Sequence, residues 1–121
     1  MKRIIALLIA SVLLSMILVG CGKPSDVSNE MYIIGETALQ VADNYMAYKI
    51  DYDAARSKID KLTEDAQVIY DRNKGTQYSS GDLTLKMLIT EMSISMISAN
   101  YDGVPADIKN ERDKLAKYLG K

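Results

Sequence analysis

MYIIGETALQVADNYMAYKIDY, residues 31–52, decides the fold. Met31, Ile34, Ala38, Val41, Tyr45, Tyr48 and Tyr52 recur there at steps of three and four. One face of an α-helix has that period; a half-buried strand would alternate every second residue. Leu39, Ala42 and Met46 widen the stripe to a core-facing surface. Ser28 or Asp26 is placed to cap this helix, and Glu30 stands in its first turn, where the positive end of the helix favours a carboxylate. Gly35 costs ~1 kcal/mol of helix propensity and leaves room for a neighbour to come close. The pattern breaks near residues 49–53, where Asp51 or Asp53 can cap a second helix.

The stripe repeats downstream. Ala55, Ile59, Leu62, Ala66 and Ile69 mark the second helix, with Gly75 placed as a left-handed terminator after it. A loop rich in Gly, Ser and Thr covers residues 74–81. Ser79 or Ser80 then caps a third helix, with Asp82 in its first turn. Leu83, Leu85, Met87, Leu88, Ile89, Met92, Ile94, Met96 and Ile97 cover more than one face, so this is the central helix, touched on several sides. Ser93, Ser95 and Ser98 are small enough to lie between helices, with hydroxyls able to bond back to the preceding turn. Residues 100–103 read as a turn, Pro105 fits the first position of a fourth helix, and Ile108, Leu115 and Leu119 give it a thinner stripe. Short connections between neighbours imply an antiparallel, up-down bundle. The expected class is all-α, a small antiparallel bundle of three to four helices over residues 29–121.

Composition removes whole classes of function. The chain has no histidine, tryptophan or phenylalanine, one cysteine and eight tyrosines. Without histidine the common nucleophile–base pairs are unavailable, and with one cysteine a zinc site lacks ligands. No Gly-rich phosphate loop is present, and a net charge of −1 offers nucleic acid no broad attraction. No catalytic residue, metal ligand or cofactor is therefore assigned, and an enzyme is not expected. Counting a calcium loop from Asp71 puts Asn73, Ser79 and Asp82 at ligand positions. However, Gly75 stands at the fifth position, Thr76 holds the place that needs glycine, and Arg72 and Lys74 add positive charge. The plainer reading is a helix terminator and a solvated loop.

Ahead of the helices, Lys2-Arg3 is followed by the apolar run Ile4–Val19, interrupted only by Ser11 and Ser15, then by Gly20 and Cys21. A basic start, an apolar middle and a small residue before a polar turn describe a secretory signal peptide. Leu18-Val19-Gly20-Cys21 resembles a lipobox, the processing and lipidation signal of bacterial lipoproteins. The resemblance covers the signal region, about a fifth of the chain, and implies three segments. Residues 1–20 would be a leader cleaved between Gly20 and Cys21. Residues 21–28 would be the lipidated start and a short tether, and residues 29–121 the bundle. It implies diacylglycerol on Cys21 and attachment to the extracytoplasmic side of a cell membrane. Losing Lys2 and Arg3 leaves 13 basic against 16 acidic residues, a net charge of −3, which is neither a polybasic patch nor an acidic tail.

Tyr45, Tyr48 and Tyr52 share one face of the first helix pattern and form the candidate contact face, since tyrosine serves recognition surfaces well. The same positions continue the core stripe, so their alternative role is to line the core edge. The expected function is a membrane-tethered helical module of the cell envelope that acts through an envelope protein partner. Two other readings stay open: binding of a small ligand or envelope polymer on the tyrosine face, and an exclusion or immunity lipoprotein against phage or conjugating DNA, which rests on size alone.

Overall fold

The computed structural model describes residues 22–100 and 108–121. Four helices follow in order: α1 (Asn29–Met46), α2 (Tyr52–Asn73), α3 (Ser79–Asn100) and α4 (Lys109–Tyr118). The described residues contain no strand. Gly20, Cys21 and Pro105 lie outside the described residues, and with them the expected cleavage site, the expected lipidation site and the expected start of the fourth helix.

α1 begins where the sequence places a cap. Ser28 has an extended backbone and its hydroxyl accepts from the Met31 N–H at 3.3 Å. Asp51 does the same for α2, accepting from the Ala54 N–H at 2.8 Å. Each cap satisfies an N–H that has no partner inside its helix, worth ~1 kcal/mol. α3 differs from expectation. Its helical run starts at Ser79 itself, so Ser79 and Ser80 lie inside the first turn.

α1 and α3 each pack against all three other helices, while α2 and α4 flank them and do not meet. The core joins Met31, Ala38 and Val41 of α1 to the full stripe of α2, Ala55, Ile59, Leu62, Ala66 and Ile69. Leu85, Ile89, Met92 and Met96 of α3 complete it, with Ile108, Leu115 and Leu119 around α4. Each fully buried Leu or Ile contributes ~1.5–3 kcal/mol. Gly35 serves the close approach its position suggests: a Cβ there would stand 3.0 Å from Leu119 Cδ2 and 3.3 Å from Leu85 Cδ2.

Three details of the stripes differ from the sequence reading. Met46, expected in the core face of α1, is exposed. α3 is central but open on one side, where Met87 and Ile94 keep more than half their surface in water. Ser93 donates across to Asp60 of α2 at 3.2 Å rather than back along its own helix.

The largest difference concerns the segment expected as a tether. From Gly22 to Ser28 the chain is seated on the bundle. Val27 is fully buried, and its N–H closes a turn to the Pro24 carbonyl at 3.2 Å. Asp82 of α3 is also fully buried. Its Oδ1 accepts from the Ser28 N–H at 2.8 Å, and its Oδ2 accepts from the Ser28 hydroxyl and the Asn73 amide, both at 2.8 Å. Burying Val27 contributes ~2 kcal/mol, and hydrogen bonds to a charged group ~1.5–3 kcal/mol each. Low average polarity in residues 22–28 is absent, so hydropathy alone reads them as solvated; a buried carboxylate across 54 residues of chain makes them part of the fold.

Candidate functional site

The α1–α2 turn is built by hydrogen bonds that end α1 sharply. The Tyr48 N–H donates to the Tyr45 carbonyl at 3.1 Å, and the Lys49 N–H donates to the Asn44 carbonyl at 2.9 Å. This is a Schellman closure, and it puts Tyr48 in the left-handed conformation with φ of 59°. A residue with a Cβ pays ~1–2 kcal/mol for that conformation, which is why glycine usually fills the position. Tyr48 is nevertheless 89% exposed, so its ring offsets none of the strain by packing.

The three candidate tyrosines therefore separate. Tyr45 and Tyr52 stack edge to face, with ring centroids 6.4 Å apart, and both pack against the core. The Tyr52 hydroxyl donates to the Met96 carbonyl at 3.0 Å, tying the start of α2 to the end of α3. These two line the core edge. Tyr48 alone projects from the turn, close in sequence to the exposed Met46. The shared face assumed one continuous helix through residue 52, and the helix stops at Met46.

A groove of about 550 Å³ runs between α1 and α2. Val41 and Leu62 contribute apolar surface to it, with the amides of Gln40 and Asn44 on one side and Lys58 and Lys61 on the other. That mixture suits a hydroxyl-rich or anionic ligand. Lys61 also pairs with Asp65 at 3.3 Å on the helix surface. A second depression of about 480 Å³ on α2 is lined by Asp53, Arg56, Asp60 and Glu64, of which Arg56 and Asp60 form a solvated pair at 3.7 Å.

Among the described residues no group of three or more His, Cys, Asp or Glu is arranged to hold a metal ion. Asn73 and Asp82, two positions of the rejected calcium loop, do meet, but through a hydrogen bond on a carboxylate that Ser28 also occupies. No described helix is long and apolar enough to cross a membrane.

The opposite end holds the site that sequence reasoning missed. The α4 helix closes with the Gly120 N–H on the Lys117 carbonyl at 3.1 Å and the Lys121 N–H on the Ala116 carbonyl at 2.8 Å. The Tyr32 hydroxyl donates to the Leu119 carbonyl at 2.9 Å, and Lys121 pairs with Glu36 at 2.8 Å. Burial pushes the Tyr32 phenol above its ordinary range and neighbouring Glu36 pushes it further, against Lys121. Burial raises the Tyr118 phenol as well, with Asp26 adding to it. Asp82 was visible in the sequence as a first-turn carboxylate, but only its meeting with Ser28 gives it this role. No protein-family model, curated protein or solved structure matches this chain.

Proposed function

We propose that this chain is a lipoprotein of a bacterial cell envelope, held to the membrane by lipid on Cys21 and acting through contact with an envelope protein rather than by catalysis. Leu18-Val19-Gly20-Cys21, behind a basic start and an apolar run, supports the anchor. Each buried methylene of an acyl chain contributes ~0.8 kcal/mol, and two or more chains hold a protein stably where one does not. The observation that carries the contact reading is Tyr48, a large exposed aromatic kept in a strained backbone position. Strain of this kind, unrelieved by packing, points to a role outside the fold.

The anchor is tested by mass spectrometry of the mature N-terminus. Acylated Cys21 is expected, and Cys21→Ser should remain unprocessed or leave the membrane. An intact Met1 with a free thiol overturns the reading. The contact is tested by placing a photo-crosslinking residue at position 48 in intact cells. One reproducible protein adduct is expected from position 48 and not from Val68, an exposed apolar residue on the flank of α2. Adducts that are absent or equal at both positions overturn it.

The α1–α2 groove favours a second reading, binding of a small ligand or an envelope polymer. In that case Lys58→Ala or Lys61→Ala abolishes a ligand-dependent rise in Tm while Tyr48 variants leave it intact.

A further inference from the structure

We infer that the bundle stands end-on to the bilayer, with the α2–α3 turn and Leu119–Lys121 against the lipid headgroups and Tyr48 facing away; this rests on acylation of Cys21. The chain reaches the bundle one residue after that cysteine. Gly22 lies on Gly120, where an added Cβ would come 2.7 Å from the Gly22 carbonyl oxygen. Four residues on, Asp26 crosses Gly81 so closely that an added Cβ would overlap its carbonyl. Two glycines thus form notches for the arm, and Asp82 clasps its far end through both the N–H and the hydroxyl of Ser28. An arm fitted in this way leaves no free chain between Gly22 and Ser28 to act as a swivel. The lipid and the bundle are then coupled at one fixed place.

That place is the end of the bundle holding the start of α1, the α2–α3 turn and the last turn of α4. Lys23 lies there, donating to Asn29 at the start of α1 and standing over the Tyr78 ring of the α2–α3 turn, and Lys74, Lys117 and Lys121 belong to the turns at this end. Its carboxylates are largely spoken for. Asp82 is buried, Asp71 pairs with Lys74, Glu36 with Lys121, and Glu30 with Arg72. Lys74 and Lys121 are held in those pairs, and Asp26 is half-buried where the arm crosses Gly81, so Lys23 and Lys117 are the ammonium groups at this end placed to meet phosphate. On the open side of α3, Glu91 stands between Met87 and Ile94 and pairs with Lys114 at 4.0 Å, so seating that face in the apolar layer would carry a charged pair into the interface. The 18 residues of α1 put the Tyr48 turn about 27 Å from the anchored end at ~1.5 Å per residue.

The test uses mature protein purified from membranes, with acylation of Cys21 established by mass and one introduced thiol, Gln77→Cys or Lys49→Cys, carrying a fluorophore. The protein is placed in phosphatidylethanolamine–phosphatidylglycerol vesicles containing a headgroup-linked nitroxide lipid. End-on seating predicts that the label at 77 loses most of its fluorescence and the label at 49 loses none. Adding Gly81→Ala, which suits a helix interior but fills the notch under Asp26, should erase that contrast while helicity by circular dichroism is retained. Equal, strong quenching at both positions means a side-on bundle, and equal, weak quenching means a free swivel; either overturns the inference while leaving the anchor standing. A contrast that survives Gly81→Ala overturns the role of the arm. Unacylated Cys21 overturns the anchor and the orientation together.

Discussion

Two helices of this bundle end in the same hydrogen-bonded turn and put opposite residues in its left-handed position. α4 uses Gly120, at φ of 77°, and α1 uses Tyr48, at φ of 59°. The glycine has a steric reason as well as a conformational one, because Gly22 occupies the space a side chain would need. Tyr48 has neither: its ring is in water, and any smaller residue would fit. One end is thus closed by the arm that lies across it. The other is open, and keeps a residue that the fold itself would do better without. The difference separates the two ends physically, and under the proposed function anchoring would fall to the closed end and contact to the open one.

The clasp is the place to break the closed end. Asp82→Ala removes a fully buried carboxylate that accepts from two donors of Ser28 and from the Asn73 amide. A loss of about 3 kcal/mol is expected, from buried donors left unpaired and a carboxylate-sized void. Urea unfolding measures it, and a loss under about 1 kcal/mol would mean that Asp82 does not hold the arm.

A smaller effect separates backbone strain from contact. Gly75 is also left-handed, at φ of 79°, but nothing lies within 4 Å of the position a Cβ would take. Gly75→Ala should cost about 1 kcal/mol, the conformational term alone. Gly120→Ala carries the same term plus the collision with Gly22, for a total of about 2–3 kcal/mol. Equal losses in the two variants would place the arm off the bundle in solution.

At the open end the sign reverses. Tyr48→Gly should stabilise the protein by about 0.5–1 kcal/mol, relief of left-handed strain less the greater chain entropy of unfolded glycine. If Tyr48 is a contact residue, the more stable variant is also the one that loses its partner. A thermal midpoint that falls, or a cellular crosslinking pattern unchanged by the substitution, removes the reason for singling this residue out.

The closed and open ends were unequally legible in the sequence. The stripes of α2 and α4 are stated by spacing alone, because burial on one helix face needs only a period. Ser28 and Asp51 were legible as caps because capping is local chemistry. Asp82 was legible as a helix-start carboxylate, but its burial depends on Ser28, 54 residues away, and no local pattern encodes that meeting. Gly81 and Gly120 are likewise ordinary glycines until another segment crosses them. For the tyrosines, Tyr45 lies in the last turn of α1 and Tyr52 opens α2, so the two meet at the core edge, while Tyr48 lies in the turn between the helices. A stripe that runs through a turn cannot show where the helix stops.

A pH-dependent effect titrates the closed end. Burial raises the phenols of Tyr32 and Tyr118 above their ordinary range, and Glu36 and Asp26 respectively add to it. A raised folded value means that the folded state holds these protons more tightly than the unfolded chain. The stability they contribute is complete below the ordinary phenol value of ~10 and is lost as pH rises through the higher folded values. Lys121, held up by its hydrogen bond to Glu36, acts in the same direction. Urea unfolding from about pH 8 to about pH 11.5 should therefore show falling stability on the alkaline side. The double variant Tyr32→Phe/Tyr118→Phe should flatten that limb without abolishing it, since Lys121 remains. At neutral pH it should cost about 1 kcal/mol, because the Leu119 carbonyl loses its donor. An alkaline limb as steep in the variant as in the native protein would move the titrating groups away from the clasped end.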